Sequence, residues 1–170
     1  MELTTTQKRQ RLLTMIFGAI AIFFTGYPHV WSIYQPYVME QAGWSQTAAS
    51  MCFYLALSTN IIGGRLQDKY NPKIVVWIGG GIFAIGILAS AFLIVPSSLP
   101  MYVTYGVMQG FGQGLIYTVI ISTVQKWFPG RTGFASGVVV TANGLCGFFL
   151  APISRRILQA EGPGKTFLII

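Results

Sequence analysis

The chain has 170 residues, of which 53% are apolar and only 9% charged, with a mean hydropathy of +0.60. A soluble domain carries about 25% charged residues, so 11 basic and 4 acidic side chains cannot solvate a globule of this size. A soluble enzyme, a disordered tail and a nucleic-acid-binding domain are excluded, and the net charge of +7 must be read from where the charges sit.

The charges cluster, and long charge-free stretches lie between them: 12–39, 45–64, 74–125 and 132–154. A membrane-spanning helix needs about 20 apolar residues to cross a ~30 Å hydrocarbon core. The third stretch is long enough for two, divided by the helix-breaking Pro96-Ser97-Ser98-Leu99-Pro100. Five spans are therefore predicted, near 12–38, 46–66, 74–95, 101–127 and 133–153. Helices are required because lipid leaves every backbone N–H to be satisfied within its own segment. No alternating pattern of ~10-residue segments suggests a transmembrane β-barrel. The fold class is an all-α membrane protein, with the lipid bilayer as its first partner.

The first predicted span is too long for a signal peptide, and no small-residue cleavage site follows it. Tyr27, Trp31 and Tyr34 fall on one helical face. Trp31 and Tyr34 lie toward the outer end of the span, where they fit either a cavity wall or the aromatic belt that anchors helices at the interface. His29 is the single histidine and follows Pro28, where the helix is expected to open locally. It fits a substrate or proton site, or a neutral water-facing imidazole. In the second span Cys52, like Cys146 in the fifth, reads as a buried small hydrophobe rather than half of a disulfide.

Between the second and third spans the chain reads Gly64-Arg65-Leu66-Gln67-Asp68-Lys69-Tyr70-Asn71-Pro72-Lys73. This resembles the signature loop of the major facilitator superfamily, G-x-L-x-D-[RK]-x-G-[RK]-[RK], at the place where that family carries it. Gly64, Leu66, Asp68, Lys69 and Lys73 match the pattern. Asn71 replaces the usual glycine and is expected to keep the tight turn by tolerating the left-handed conformation. Pro72 replaces a basic residue. An aspartate near a helix end can pair with a helix N-terminus or an arginine in one transporter state and release it in the other, or it can simply cap a turn. Gly64, Asp68, Lys69 and Lys73 are the expected conformational-switch residues.

The third span opens with Gly79-Gly80-Gly81, and the fourth carries Gly106, Gly110 and Gly114 at four-residue spacing with Gly112 beside them. Small residues at such spacing let membrane helices approach closely, and the same is expected of Gly133, Gly137, Gly144 and Gly147 in the fifth. Gly110, Gln113 and Tyr117 share one face of the fourth span. Gln113, Gln109, Asn60 and Asn143 fit hydrogen bonds between helices or to a substrate.

After the fourth span, Trp127-Phe128-Pro129-Gly130-Arg131-Thr132-Gly133-Phe134-Ala135-Ser136-Gly137 looks like the W-F-P-x-[KR]-R-G-x-A-x-G segment of the oxalate/formate antiporter and monocarboxylate porter branch. Thr132 stands where that branch has an arginine. Trp31-Ser32-Ile33-Tyr34 and Glu161-Gly162-Pro163-Gly164 resemble the same branch. The chain closes on an apolar segment starting near residue 166, which reads as the start of a sixth span. Residues 1–170 therefore read as the N-terminal bundle of a twelve-helix architecture whose C-terminal half is missing.

Eight basic residues fall on one side: Lys8, Arg9, Arg11, Arg65, Lys69, Lys73, Lys126 and Arg131, against Arg155, Arg156 and Lys165 on the other. The positive-inside rule puts the amino terminus in the cytoplasm of a cell-membrane protein. The resemblance implies secondary transport of a small organic anion by alternating access, with the substrate near the midplane between two halves. It also implies that aromatic side chains of the first and fourth helices line the cavity, at positions that align with Tyr34 and Tyr117. Trp31, Gln113 and His29 complete the candidate set. No Lys or Arg lies deep in a predicted span, so the cation that balances a buried carboxylate must come from the missing half. One histidine and no intramembrane carboxylate leave no enzyme site and no metal site, and no cofactor is implied. A carrier for another solute, or a self-contained helical assembly protein, remains the alternative.

Overall fold

In a computed structural model, residues 4–66 and 70–169 are described, and among them every regular element is a helix. Helix α1 (Thr5–Thr25) starts from a capping box: Thr4 Oγ1 accepts from the Gln7 amide at 3.4 Å, and Gln7 Oε1 accepts from the Thr4 amide at 3.0 Å. A 3₁₀ turn (Tyr27–Val30) and α2 (Trp31–Ala42) follow. The first predicted span is thus two helices, broken where Pro28 removes a donor and obstructs the carbonyl four residues back. Helix α2 ends at Gly43, whose φ of +69° is the left-handed conformation that glycine adopts without a Cβ clash. Trp44 then donates from Nε1 to the Val95 carbonyl at 2.8 Å, fastening this turn to the loop after α4.

Helix α3 (Gln46–Leu66) occupies the second predicted span, and α4 (Pro72–Phe92) the third. Among the described residues, four helical stretches have the length and apolar density to cross a bilayer: Thr5–Ala42, Pro72–Phe92, Leu99–Trp127 and Thr132–Ile169. Helix α3 is not among them, because Gln46, Thr47, Ser50, Ser58, Thr59 and Asn60 dilute its apolar content. Asn71 corrects the expectation drawn from the signature loop. Its φ is −61°, not left-handed, and its Oδ1 caps α4 by accepting from the Lys73 amide at 3.0 Å. Asp68 and Lys69 lie outside the described residues, and Gly64 falls in the last turn of α3.

The short α5 (Leu99–Met101) runs through a π-helical stretch (Tyr102–Gln109) into α6 (Gly110–Trp127). Helix α7 (Thr132–Ile169) passes residue 153, where the fifth span was expected to end. Arg155 and Arg156 are exposed, so the helix continues into a polar environment. Gly162 (φ +77°, ψ 173°) breaks it, and residues 163–169 form a separate helical segment where the sixth span was expected to begin.

Three apolar clusters hold the described helices together, the smallest of them Val75, Leu115 and Val119 between α4 and α6. Of the other two, one joins Tyr27, Trp31, Tyr34, Val38, Trp44, Met101, Tyr105, Leu158 and Phe167, and the other Ile22, Ile116, Ile120, Val124, Phe128, Ala135 and Val139. The glycines of the fourth span form the expected seam. A Cβ on Gly106 would lie 2.9 Å from Leu55 Cβ, on Gly110 2.4 Å from the Ala56 carbonyl oxygen, and on Gly114 2.0 Å from that of Asn60. Gly79 and Gly112 do the same between α4 and α6. Gly80, Gly81, Gly133, Gly137 and Gly144 meet nothing within 4 Å, so they are not seams between these helices. Their faces are open, as are those of Phe24, Trp77, Phe92 and Phe148, each at least 70% exposed. So much exposed aromatic surface is untenable in water and natural against lipid or another membrane segment.

Candidate functional site

Breaking the first span at Tyr27–Val30 leaves carbonyls of the last turn of α1 without their helical donors. Gln113 supplies one: its buried amide donates from Nε2 to the Thr25 carbonyl at 2.8 Å. Gln113 is therefore a strut from α6 to the break. Close packing completes the support, since a Cβ on Gly26 would lie 2.6 Å from the Asn143 carbonyl oxygen of α7.

The break aims its residues two ways. Tyr27, Val30 and Trp31 turn into the core, while His29 stays exposed. Trp31 is 2% exposed, packs its ring 4.5 Å from that of Tyr105, and donates from Nε1 to the Ala49 carbonyl of α3 at 3.1 Å. Tyr34 is 1% exposed, with its ring 4.7 Å from Phe167 and 5.6 Å from Tyr27. Both face the core of the bundle rather than its outer surface. The hydroxyls of Tyr27, Tyr34 and Ser154 face one another in the core, and the Tyr105 hydroxyl and both Gln109 amide atoms are buried without a partner. Tyr117 is half-buried against the Ile22–Ile116 cluster.

His29 opens on a recess of about 280 Å³ shared with Trp31, Ser32, Gln35, Ser50, Phe53 and Tyr54. Its Nε2 lies 3.0 Å from Asn143 Nδ2, across to α7. Gln35 donates from Nε2 to Ser50 Oγ at 3.1 Å, linking α2 and α3 across the recess. The structure thus gathers His29 and Trp31 at one site, holds Tyr34 behind them in the core, and places Gln113 beneath the break and Tyr117 apart. Ser32, Gln35, Ser50 and the pairing of Asn143 with His29 were not singled out from sequence. From sequence, only Pro28, where the helix was expected to open locally, pointed to this place.

At the other end of the bundle, the Arg11 guanidinium stands 3.7 Å above the Phe128 ring, and Gln125 Nε2 donates to Ser136 Oγ at 2.7 Å. These contacts fix the Trp127–Gly137 segment between α1 and α7. Cys52 and Cys146 are free and buried. Among the described residues no three His, Cys, Asp or Glu side chains gather to hold a metal ion.

Residues 12–170 match the family model described as Major Facilitator Superfamily. The chain is 28% identical over 148 residues to the oxalate:formate antiporter of Oxalobacter formigenes, covering 85% of this chain and 35% of that protein. It is 29% identical over 167 residues to the uncharacterized MFS-type transporter YhjX of Escherichia coli (strain K12), covering 95% and 41%. It is 30% identical over 109 residues to monocarboxylate transporter 11 of Homo sapiens, covering 64% and 23%. The chain spans about two fifths or less of the length of these relatives.

Proposed function

The chain belongs to the major facilitator superfamily, a family of transporters rather than enzymes, and from that premise we propose that it forms one wall of a carrier for small organic anions. The substrates in this reading are mono- or dicarboxylates such as oxalate and formate, moved across a cell membrane by alternating access. One observation carries the reading: relatives aligned along most of this chain are named for oxalate, formate and monocarboxylates. The chain is a multi-pass membrane protein, and its lopsided basic loops support a cytoplasmic amino terminus.

In this reading the broken first span is the working element. Half-helix ends free backbone groups at membrane depth, where carriers bind their substrates. His29 and Trp31 face the solute together, Tyr34 holds the break from behind, and Tyr117 lines a separate stretch of the same path. Gln113 fixes the angle of the break. The charge that balances a carboxylate comes largely from a second half, as the greater length of the relatives supports. Gly64, Asp68, Lys69 and Lys73 form the loop whose contacts differ between the inward-open and outward-open states.

The test is uptake by the complete carrier in proteoliposomes preloaded with unlabelled anion. Labelled oxalate, formate or lactate should accumulate by counterflow. Accumulation of none of them, from a protein that remains folded and monodisperse, overturns the organic-anion reading.

A further inference from the structure

We propose that His29 is a proton-binding site that couples anion movement to a proton, the carboxylate lodging in the His29–Ser50 recess against the imidazolium. The proposal rests on the organic-anion reading and adds to it the coupling ion and the seat.

The arrangement around the imidazole carries the argument. The chain has one histidine, and it sits at the break, exposed, while Tyr27, Pro28, Val30 and Trp31 around it are buried. With Asn143 Nδ2 donating across 3.0 Å, Nε2 is an acceptor and the ring is neutral. Asn143 Oδ1 is buried without a partner. An amide can present either end, so the same side chain accepts from Nε2–H once the ring is protonated. Asn143 therefore supports both charge states without a change of fold.

The recess fits the anion side of the exchange. At about 280 Å³ it lies near the lower end of the roughly 300–1,000 Å³ typical of ligand pockets. Its hydroxyls, on Ser32 and Ser50, and the Gln35 amide are donors for carboxylate oxygens, and Trp31, Phe53 and Tyr54 close it with aromatic surface. The groups facing His29 are neutral. From its own segment they are Trp31, Ser32 and Gln35, from α3 Ser50, Phe53 and Tyr54, and from α7 Asn143 and Gly147, with Cys146 turned toward Gly26. Tyr54 is the other titratable group on the recess. No described side chain there carries a charge that would balance an imidazolium. A carboxylate beside the ring favours the imidazolium and the imidazolium favours the carboxylate, so each raises the affinity for the other. The proton enters with the anion on Nε2 and leaves with it on the opposite side.

The experiment measures labelled formate and lactate uptake by the complete carrier in proteoliposomes holding a lumenal pH dye, from about pH 5.5 to about pH 7.5, the range an imidazole covers. Wild-type uptake should acidify the lumen, and the KM should rise with pH across this range, by up to about tenfold per pH unit once the imidazole is mostly neutral. His29→Gln keeps an acceptor for Asn143, and should abolish the acidification and give a high KM that no longer changes with pH. Acidification and a pH slope that survive His29→Gln overturn the proposal. Anion uptake without proton movement in the wild type overturns it too and leaves the organic-anion reading standing, whereas uptake of no carboxylate overturns both. Should His29→Gln fail to fold, Asn143→Asp places a carboxylate beside Nε2 and should move the rise in KM to higher pH; an unmoved profile overturns the proposal.

Discussion

Replacing Gly114 with alanine should separate α3 from α6, whereas the same change at Gly137 or Gly144 should do little. The added Cβ at Gly114 would stand 2.0 Å from the Asn60 carbonyl oxygen, about 1.4 Å short of ordinary contact. The obstacle is backbone, so no rotamer relieves it and the helices must part. Parting them also stretches the bond from Thr59 Oγ1 to the Gly106 carbonyl, now 3.0 Å. Overpacking of this kind costs about 1–3 kcal/mol, and an interhelical hydrogen bond in a membrane contributes roughly 0.6 kcal/mol. By the scaling of domains of this size, about 2 kcal/mol lowers the melting midpoint by roughly 4–8 °C. The assay is a thermal series on the detergent-solubilised complete carrier, read by the monodisperse peak on size exclusion. Gly137→Ala and Gly144→Ala meet nothing within 4 Å and serve as matched controls. A Gly114→Ala midpoint equal to wild type, or equal losses at all three glycines, would refute the close α3–α6 approach.

Gln113→Leu keeps the bulk but strands the buried Thr25 carbonyl, so a loss of about 1–3 kcal/mol is expected, measured in the same thermal series, with Gln113→Met no better. For Arg11 above Phe128, a double-mutant cycle of Arg11→Met and Phe128→Leu should return a coupling of about 0.5–2 kcal/mol. Additive effects of the two changes would show that the ring and the guanidinium do not interact.

Charge spacing and the proline break at 96–100 together outlined the helical stretches, because excluding charge from lipid is a strong constraint on where a span can lie. The same rule misjudged the end of α7. Arg155 and Arg156 end an apolar run, but they do not end a helix once their side chains reach a polar environment. The break in the first span was signalled by Pro28, yet the contacts that support it come from Gln113 of α6 and Asn143 of α7. Those are contacts across more than a hundred positions in the case of His29 and Asn143. Glycine spacing could not tell a buried seam from an open face, since Gly110–Gly114 and Gly133–Gly137 share one interval. Trp31 and Tyr34 were placed on the correct helix, but their depth in the core is set by Tyr105 and Phe167, partners far along the chain.

The π-helical stretch Tyr102–Gln109 has a geometric consequence for the seam it adjoins. A π turn holds more residues than an α turn, since its hydrogen bonds reach one residue further. A four-residue step therefore falls short of a full revolution between Gly106 and Gly110, and overshoots the 3.6-residue α turn between Gly110 and Gly114. The two angular errors oppose each other, and the three glycines line up nearly parallel to the helix axis instead of winding around it. The same line of glycines meets Leu55, Ala56 and Asn60 of α3 in turn. The wider turn is a register correction, and removing one residue from it would rotate Gly106 away from Leu55 while leaving Gly110 and Gly114 where they are.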